Sequence, residues 1–147
     1  MARAVLLDTG PLGMVTHPRP NRDIVEWLRS LLSAGATVHV PEIADYELRR
    51  ELIRAKRIKG IARLDALEKR IGYIPLTTAA MRKAAEFWAD ARNRGIPTAD
   101  DKALDADMIL AAQAVTYPRT AGSTVIATTN VAHLSLFADA ESWQNVS

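Results

Sequence analysis

The chain has 147 residues, 48% hydrophobic and 24% charged, with a net charge of +2, the profile of one folded domain with a sizeable core, not of a disordered or fibrous chain. It has no cysteine, so disulfides, thiolate metal sites and thiol catalysis are excluded. The slight basic excess permits a nucleic-acid partner without requiring one.

Taken in chain order, the segment 3–8, RAVLLD, is a short apolar run that ends at an acid and then Gly10-Pro11, the pattern of a strand buried on both faces. Residues 21–35 place Ile24, Leu28, Leu31 and Leu32 at helical spacing and stop at Gly35, a residue suited to a helix C-terminal cap. A strand is expected over 36–41 and a helix over 41–56, with proline at its entrance. Residues 60–72 read as a helix, 72–76 as a short strand and 77–95 as a helix ending at Gly95. LDADMILAAQAV, 104–115, is a helix made to be buried, although it opens with Asp105 and Asp107. The β-branched run 123–129 is a further strand. Short apolar strands alternating with helices predict an α/β three-layer sandwich, with a central, mainly parallel sheet of four to five strands flanked by helices. There is no repeat or linker, so one domain over 1–147 is expected. No run reaches the roughly 18 apolar residues of a membrane span, and the opening apolar stretch is too short for a signal-peptide core, so a cytoplasmic protein without membrane attachment is expected.

Sites in open α/β sheets form beyond the carboxyl ends of parallel strands. Asp8 follows the first strand, Glu47 lies two turns into the helix after the second, and Asn130 follows the last. Asp107 falls on the half-buried flank of its helix, beside Leu104, Ala111 and Ala114, and Asp105 falls on the other flank. Each acid has a plain structural alternative: Asp8 closes a strand, Glu47 is a solvated helix charge, and Asp105 and Asp107 serve a helix N-terminus, with TADD, 98–101, as a start upstream. Gathered at one edge, however, carboxylates repel and raise one another's pKa unless a cation lies between them. An oxygen-only set suits Mg²⁺ or Mn²⁺. Zinc is disfavoured, because His17, His39 and His133 show no ligand spacing. Such an ion activates water against phosphorus, so phosphodiester hydrolysis is a natural chemistry.

These residues resemble the PIN-domain ribonucleases, including the toxin nucleases of VapC-like toxin–antitoxin modules, over nearly the whole chain. LLDTGPLG is similar to the family's opening strand, with Asp8 as first metal ligand and Thr9 supporting it. YELRRELIR resembles the second motif, with Glu47 as its acid. LDADMILAAQA resembles the third, with Asp107 as ligand and Asp105 either an outer ligand or a helix-end charge. VIATTNVAHL resembles the closing strand and turn, with Thr128, Thr129 and Asn130. The resemblance implies a Mg²⁺- or Mn²⁺-dependent endoribonuclease with Asp8, Glu47, Asp107 and Asn130 in the catalytic set and Thr9 and Thr128 supporting. It also implies an antitoxin protein as partner and a homodimer. Many members carry a fourth acid in the closing turn, where this chain has Asn130 and His133. One metal or two is therefore open, and the alternative reading is a PIN-fold RNA-binding or regulatory protein with little or no catalysis.

From Arg49 to Arg63 seven basic residues meet the single acid Glu51, a local phosphate-binding pattern. Arg49, Arg50, Arg54, Lys56 and Arg57 are the RNA-backbone candidates, with a solvated face of two helices as the plain alternative. Trp27, Trp88 and Trp143 are too dispersed to argue for base stacking, and core packing is expected of Trp27 and Trp88. A haloacid-dehalogenase-like phosphatase would want an acid where Gly10 stands. A phospho-acceptor receiver would want one where Leu76 and Thr77 stand.

Overall fold

The structure, a computed structural model, describes residues 3–95, 101–118 and 122–147. Among them five strands, β1 (Ala4–Leu7), β2 (Thr37–Pro41), β3 (Gly72–Ile74), β4 (Thr124–Thr128) and β5 (Ala140–Ser142), form one sheet in the order β3-β2-β1-β4-β5. All four pairings are parallel. Six helices accompany them: α1 (Thr9–Thr16), α2 (Arg22–Ser33), α3 (Glu42–Arg54), α4 (Ile58–Arg70), α5 (Thr78–Asn93) and α6 (Asp101–Thr116). The expected α/β three-layer sandwich is therefore observed, with the sheet wholly parallel.

Alternation along the strands builds two cores. Val5, Leu7, Val38, Val40, Val125 and Ala127 face Leu12 of α1, Ile24 and Leu31 of α2 and Leu64 of α4. Leu6, Ile74 and Ile126 face Leu110, Ala111 and Ala114 of α6. A third cluster, Ala84, Ala91, Leu104, Met108 and Ala112, joins α5 to the outer side of α6. Covered on both faces, β1 and β4 are buried along their whole length, which explains their unbroken apolar sequence.

The sequence pattern misses two elements. Gly10-Pro11 reads as a strand terminator, yet it lies in the first turn of α1, where proline removes only an N–H that would have no partner in the helix. β5 has the sequence Ala-Glu-Ser, too short and polar to show a strand period. At the end of α2 the prediction holds: Gly35 adopts φ +87, a left-handed conformation that costs glycine little.

Trp27 packs edge-on against Trp143 and donates its indole N–H to the Val146 carbonyl, whereas Trp88 is 40% exposed on α5. Core packing thus holds for Trp27 and fails for Trp88, which lies outside the cluster that α5 shares with α6 among the described residues. Among the described residues no helix is long and apolar enough to cross a membrane.

Candidate active site

The strand order turns at β1: β2 and β3 lie on one side of it, β4 and β5 on the other. A crevice at the carboxyl ends of β1 and β4 is the place this topology reserves for ligands. Asp8 leaves β1 at that edge and caps α1, its Oδ1 accepting the Thr9 N–H at 2.7 Å. Its Oδ2 accepts from the Thr128 hydroxyl at 2.7 Å, at the end of β4. The Thr128 Oγ1 in turn accepts the Asn130 backbone N–H at 3.0 Å. Two strand ends thus hold one carboxylate from both sides.

α1 must approach β4 closely to permit this. A Cβ on Gly10 would stand 2.7 Å from the Thr129 Oγ1, so the glycine is a condition of the close packing.

Glu47 arrives from α3. The helix straddles the carboxyl edge, sending Ala44 into one core and Ile43 into the other, and Glu47 follows Ile43 by one turn. The Thr9 hydroxyl donates to its Oε1 at 2.9 Å, so Thr9 joins the first acid to the second. Burial pushes the Glu47 carboxyl above its ordinary range; the Asp8 charge adds to the shift, while Thr9 and Arg50 oppose it.

Asp107 comes from α6, which is helical from Asp101 onward and so begins ahead of the pattern at Leu104. The upstream residues 98–100, and the side chain of Asp101, lie outside what the structure describes. Asp107 is at least six residues inside the helix, too far in to serve its first turn. Its pKa is pushed up to about 6, by burial first and then by Asp8 and Glu47, with the His133 ring opposing. His133 Nδ1 lies 3.6 Å from the Asp107 Oδ2. This histidine from the closing turn is a site neighbour that spacing alone does not distinguish from a surface residue.

Three acids from three elements, Asp8, Glu47 and Asp107, therefore converge with Thr9 and Thr128. Asn130 joins through its backbone. Asp105 does not join: it is exposed and lines a cleft with Met81, Trp88 and Met108 on the α5 side, because two residues along a helix turn a side chain roughly 200° away. The outer-ligand expectation for Asp105 is corrected accordingly.

Arg49 is also withdrawn from the phosphate-binding set. It donates to both Asp45 carboxylate oxygens at 2.9 Å and to Asp65 Oδ1 at 2.7 Å, with Glu68 Oε1 at 3.9 Å. Burial opposes ionisation of Asp45, but hydrogen bonds from Arg49 and Glu68 hold its pKa below the ordinary range, while burial and Asp45 push Glu68 up to about 8. The basic run looked unopposed because its counter-charges, Asp45, Asp65 and Glu68, lie outside it in sequence. Arg63 donates to the Thr16 carbonyl at the end of α1, and Arg54 pairs with Glu51 on the exposed surface at 2.9 Å. Arg50, Lys56 and Arg57 remain as exposed or half-exposed cations following Glu47.

Among the described residues no three Asp, Glu or His side chains form a group that could hold a metal ion by themselves. An ion at this edge would need water to complete its shell, the usual habit of Mg²⁺. The donor chemistry fits one: the three acids are oxygen donors, Asp8 adds to the upward shift of both Glu47 and Asp107, and a cation among them would reverse that cost.

A sequence profile described as PIN domain matches residues 5–134. A comparison with curated proteins finds no significant sequence match. Among solved structures, the chain is similar to one in VapBC2 from Rickettsia felis bound to a DNA fragment from their promoter, with a TM-score of 0.72, 16% identity, and coverage of 95% of this chain and 98% of that one. It is similar to a chain in FitAcB from Neisseria gonorrhoeae, with TM-score 0.66, 22% identity and 97% and 99% coverage. It also matches a chain of DNA-bound VapBC from Salmonella typhimurium, with TM-score 0.66, 19% identity and 97% and 99% coverage.

Proposed function

Because the chain belongs to the PIN domain family, we propose that it is a Mg²⁺- or Mn²⁺-dependent endoribonuclease, the toxin of a VapC-like toxin–antitoxin module. The observation that carries this reading is the convergence of Asp8, Glu47 and Asp107 from β1, α3 and α6 at the turning point of the sheet. In this reading one domain over 1–147 works in the cytoplasm, as a homodimer and with an antitoxin protein as partner.

Asp8, Glu47 and Asp107 would hold the ion. When bound, it supplies Lewis-acid polarisation of a phosphoryl oxygen and a more acidic water for attack on phosphorus. The rest of the chemistry belongs to the chain. Thr9 and Thr128 fix the Asp8 carboxylate by two hydrogen bonds, and Thr9 also fixes Glu47, so little reorganisation is needed when substrate arrives. His133 restrains Asp107 and, when protonated, adds a positive charge beside it. Asn130 supports the Thr128 hydroxyl through its backbone. Arg50, Lys56 and Arg57 hold the phosphate backbone, contacts that position a strand without reading its sequence.

The test is RNA cleavage with Mg²⁺ or Mn²⁺, with chelator, and in Asp8→Asn and Asp107→Asn. Cleavage is expected only with the ion, falling by two or more orders of magnitude in either variant. Activity indifferent to chelator and to both substitutions overturns the reading. Metal-independent RNA binding without turnover would favour the alternative of a regulatory RNA-binding protein.

A further inference from the structure

Tyr46 is 55% exposed and directly precedes Glu47 in α3. Arg50 lies one turn further along the same helix and touches both. Its guanidinium carbon is 5.1 Å from the centroid of the Tyr46 ring, and its Nη2 is 4.0 Å from the Glu47 Oε2. The contact with Glu47 is too long for a tight hydrogen bond, and the Arg50 side chain is 50% exposed, so the cation is held near the acid while keeping donors for another anion.

We infer that Tyr46 and Arg50 form a stacking platform for an unpaired RNA base next to the scissile phosphate. The inference rests on the ribonuclease reading and adds to that same site a base contact made by Tyr46 and Arg50, outside the three acids. A base can lie on the tyrosine ring only when it is splayed out of a helix, while the guanidinium, placed between ring and acid, meets the phosphate that the base carries. Every base has a π-face, so this contact adds affinity with little sequence preference. Among the described residues Trp88 also has an arginine over its ring, Arg92 at 5.1 Å, but no contact ties that pair to Asp8, Glu47 or Asp107 as Arg50 is tied to Glu47. Trp88 lies on α5 with Met81 beside the Asp105 cleft, and Ile53 and Ile58 have no ring to stack on.

The test is fluorescence anisotropy of a labelled ten-nucleotide oligouridylate in Mg²⁺, with Asp107→Asn as a non-cleaving parent. Adding Tyr46→Ala is expected to weaken binding about ten-fold, whereas adding Tyr46→Phe should leave it nearly unchanged. In oligonucleotides carrying one abasic position at a time, the position that weakens the parent should cost the Tyr46→Ala protein nothing further. Equal affinity of parent and Tyr46→Ala overturns the platform, as does an abasic penalty that persists without the ring. A Tyr46→Phe protein as weak as Tyr46→Ala also overturns it, by pointing to the hydroxyl. A changed sedimentation state with unchanged RNA affinity would assign the ring to a protein contact and overturns it too. Should these fail while cleavage still depends on Mg²⁺ and Asp8, the platform falls and the ribonuclease reading stands. A parent that binds no RNA sinks both.

Discussion

The half-buried Asp107 carboxyl is a cost to folding. It is pushed up to about 6 from an ordinary 3.8, so between these values the folded chain binds more protons than the unfolded one, and stability falls as pH rises. The loss is absent below about pH 4 and complete above about pH 6. Asp107→Asn is therefore expected to stabilise the ion-free protein at pH 7.5 by about 1–3 kcal/mol, with the gain shrinking toward zero at pH 4. Urea unfolding of both proteins at the two pH values measures it. The same variant should lose cleavage, separating what the acid does for folding from what it does in the site. In the sequence, Asp107 was distinguishable from Asp105 by its flank on the helical wheel. His133 and Tyr46 were not: a side chain in a turn and an aromatic on a solvated helix face carry no periodic signal, and only their folded neighbours, Asp107 and Arg50, set them apart.

At the scale of elements, α3 divides its charges by face. Asp45 and Arg49, four residues apart, point toward α4, where Asp65 and Glu68 close the network. Glu47 and Arg50 point toward the crevice. Asp45 keeps only 10% of its side chain exposed and Arg49 29%, so Arg49→Ala would leave charge stranded between the helices. A loss of about 2–4 kcal/mol is expected by urea unfolding, with RNA affinity nearly unchanged in the folded fraction. Arg50→Ala should do the reverse, weakening RNA binding while stability moves by less than about 1 kcal/mol. The boundaries of α2 and α5 were legible from their glycine stops, Gly35 and Gly95, and the start of α3 from Pro41 at its entrance. α1 was not, because its residues Thr-Gly-Pro-Leu-Gly-Met-Val-Thr combine two glycines with a proline. Its helical state rests on the Asp8 cap and on Pro11 and Leu12, which are buried in the fold.

For the whole molecule, the crevice is an outcome of strand order. β1 and β4 are neighbours although more than a hundred residues separate them, and this pairing brings Thr128 to Asp8. An ion that binds the folded state alone must stabilise it. At ten times its dissociation constant, Mg²⁺ or Mn²⁺ is expected to add about 1.4 kcal/mol and raise the Tm by about 3–5 °C, reversed by chelator. The shift should be largely lost in Asp8→Asn. Differential scanning calorimetry with and without the ion checks this. Equal shifts in wild type and variant would place the ion elsewhere.

The sequence by itself determined the fold class and four of the five strands, because strands buried on both faces and helices buried on one leave periods that local composition reveals. It also made Asp8, Glu47 and Asp107 candidates, Asp8 and Asp107 by their places at a strand end and on a buried flank, and Glu47 by its place after the second strand together with the family resemblance. Tertiary structure alone decided that Asp105 turns away, that Arg49 is neutralised by Asp45 and acids of α4, and that Arg50 touches both Tyr46 and Glu47. The first two depend on what stands across the gap from the side chain, and contacts between residues distant in sequence leave no local signature.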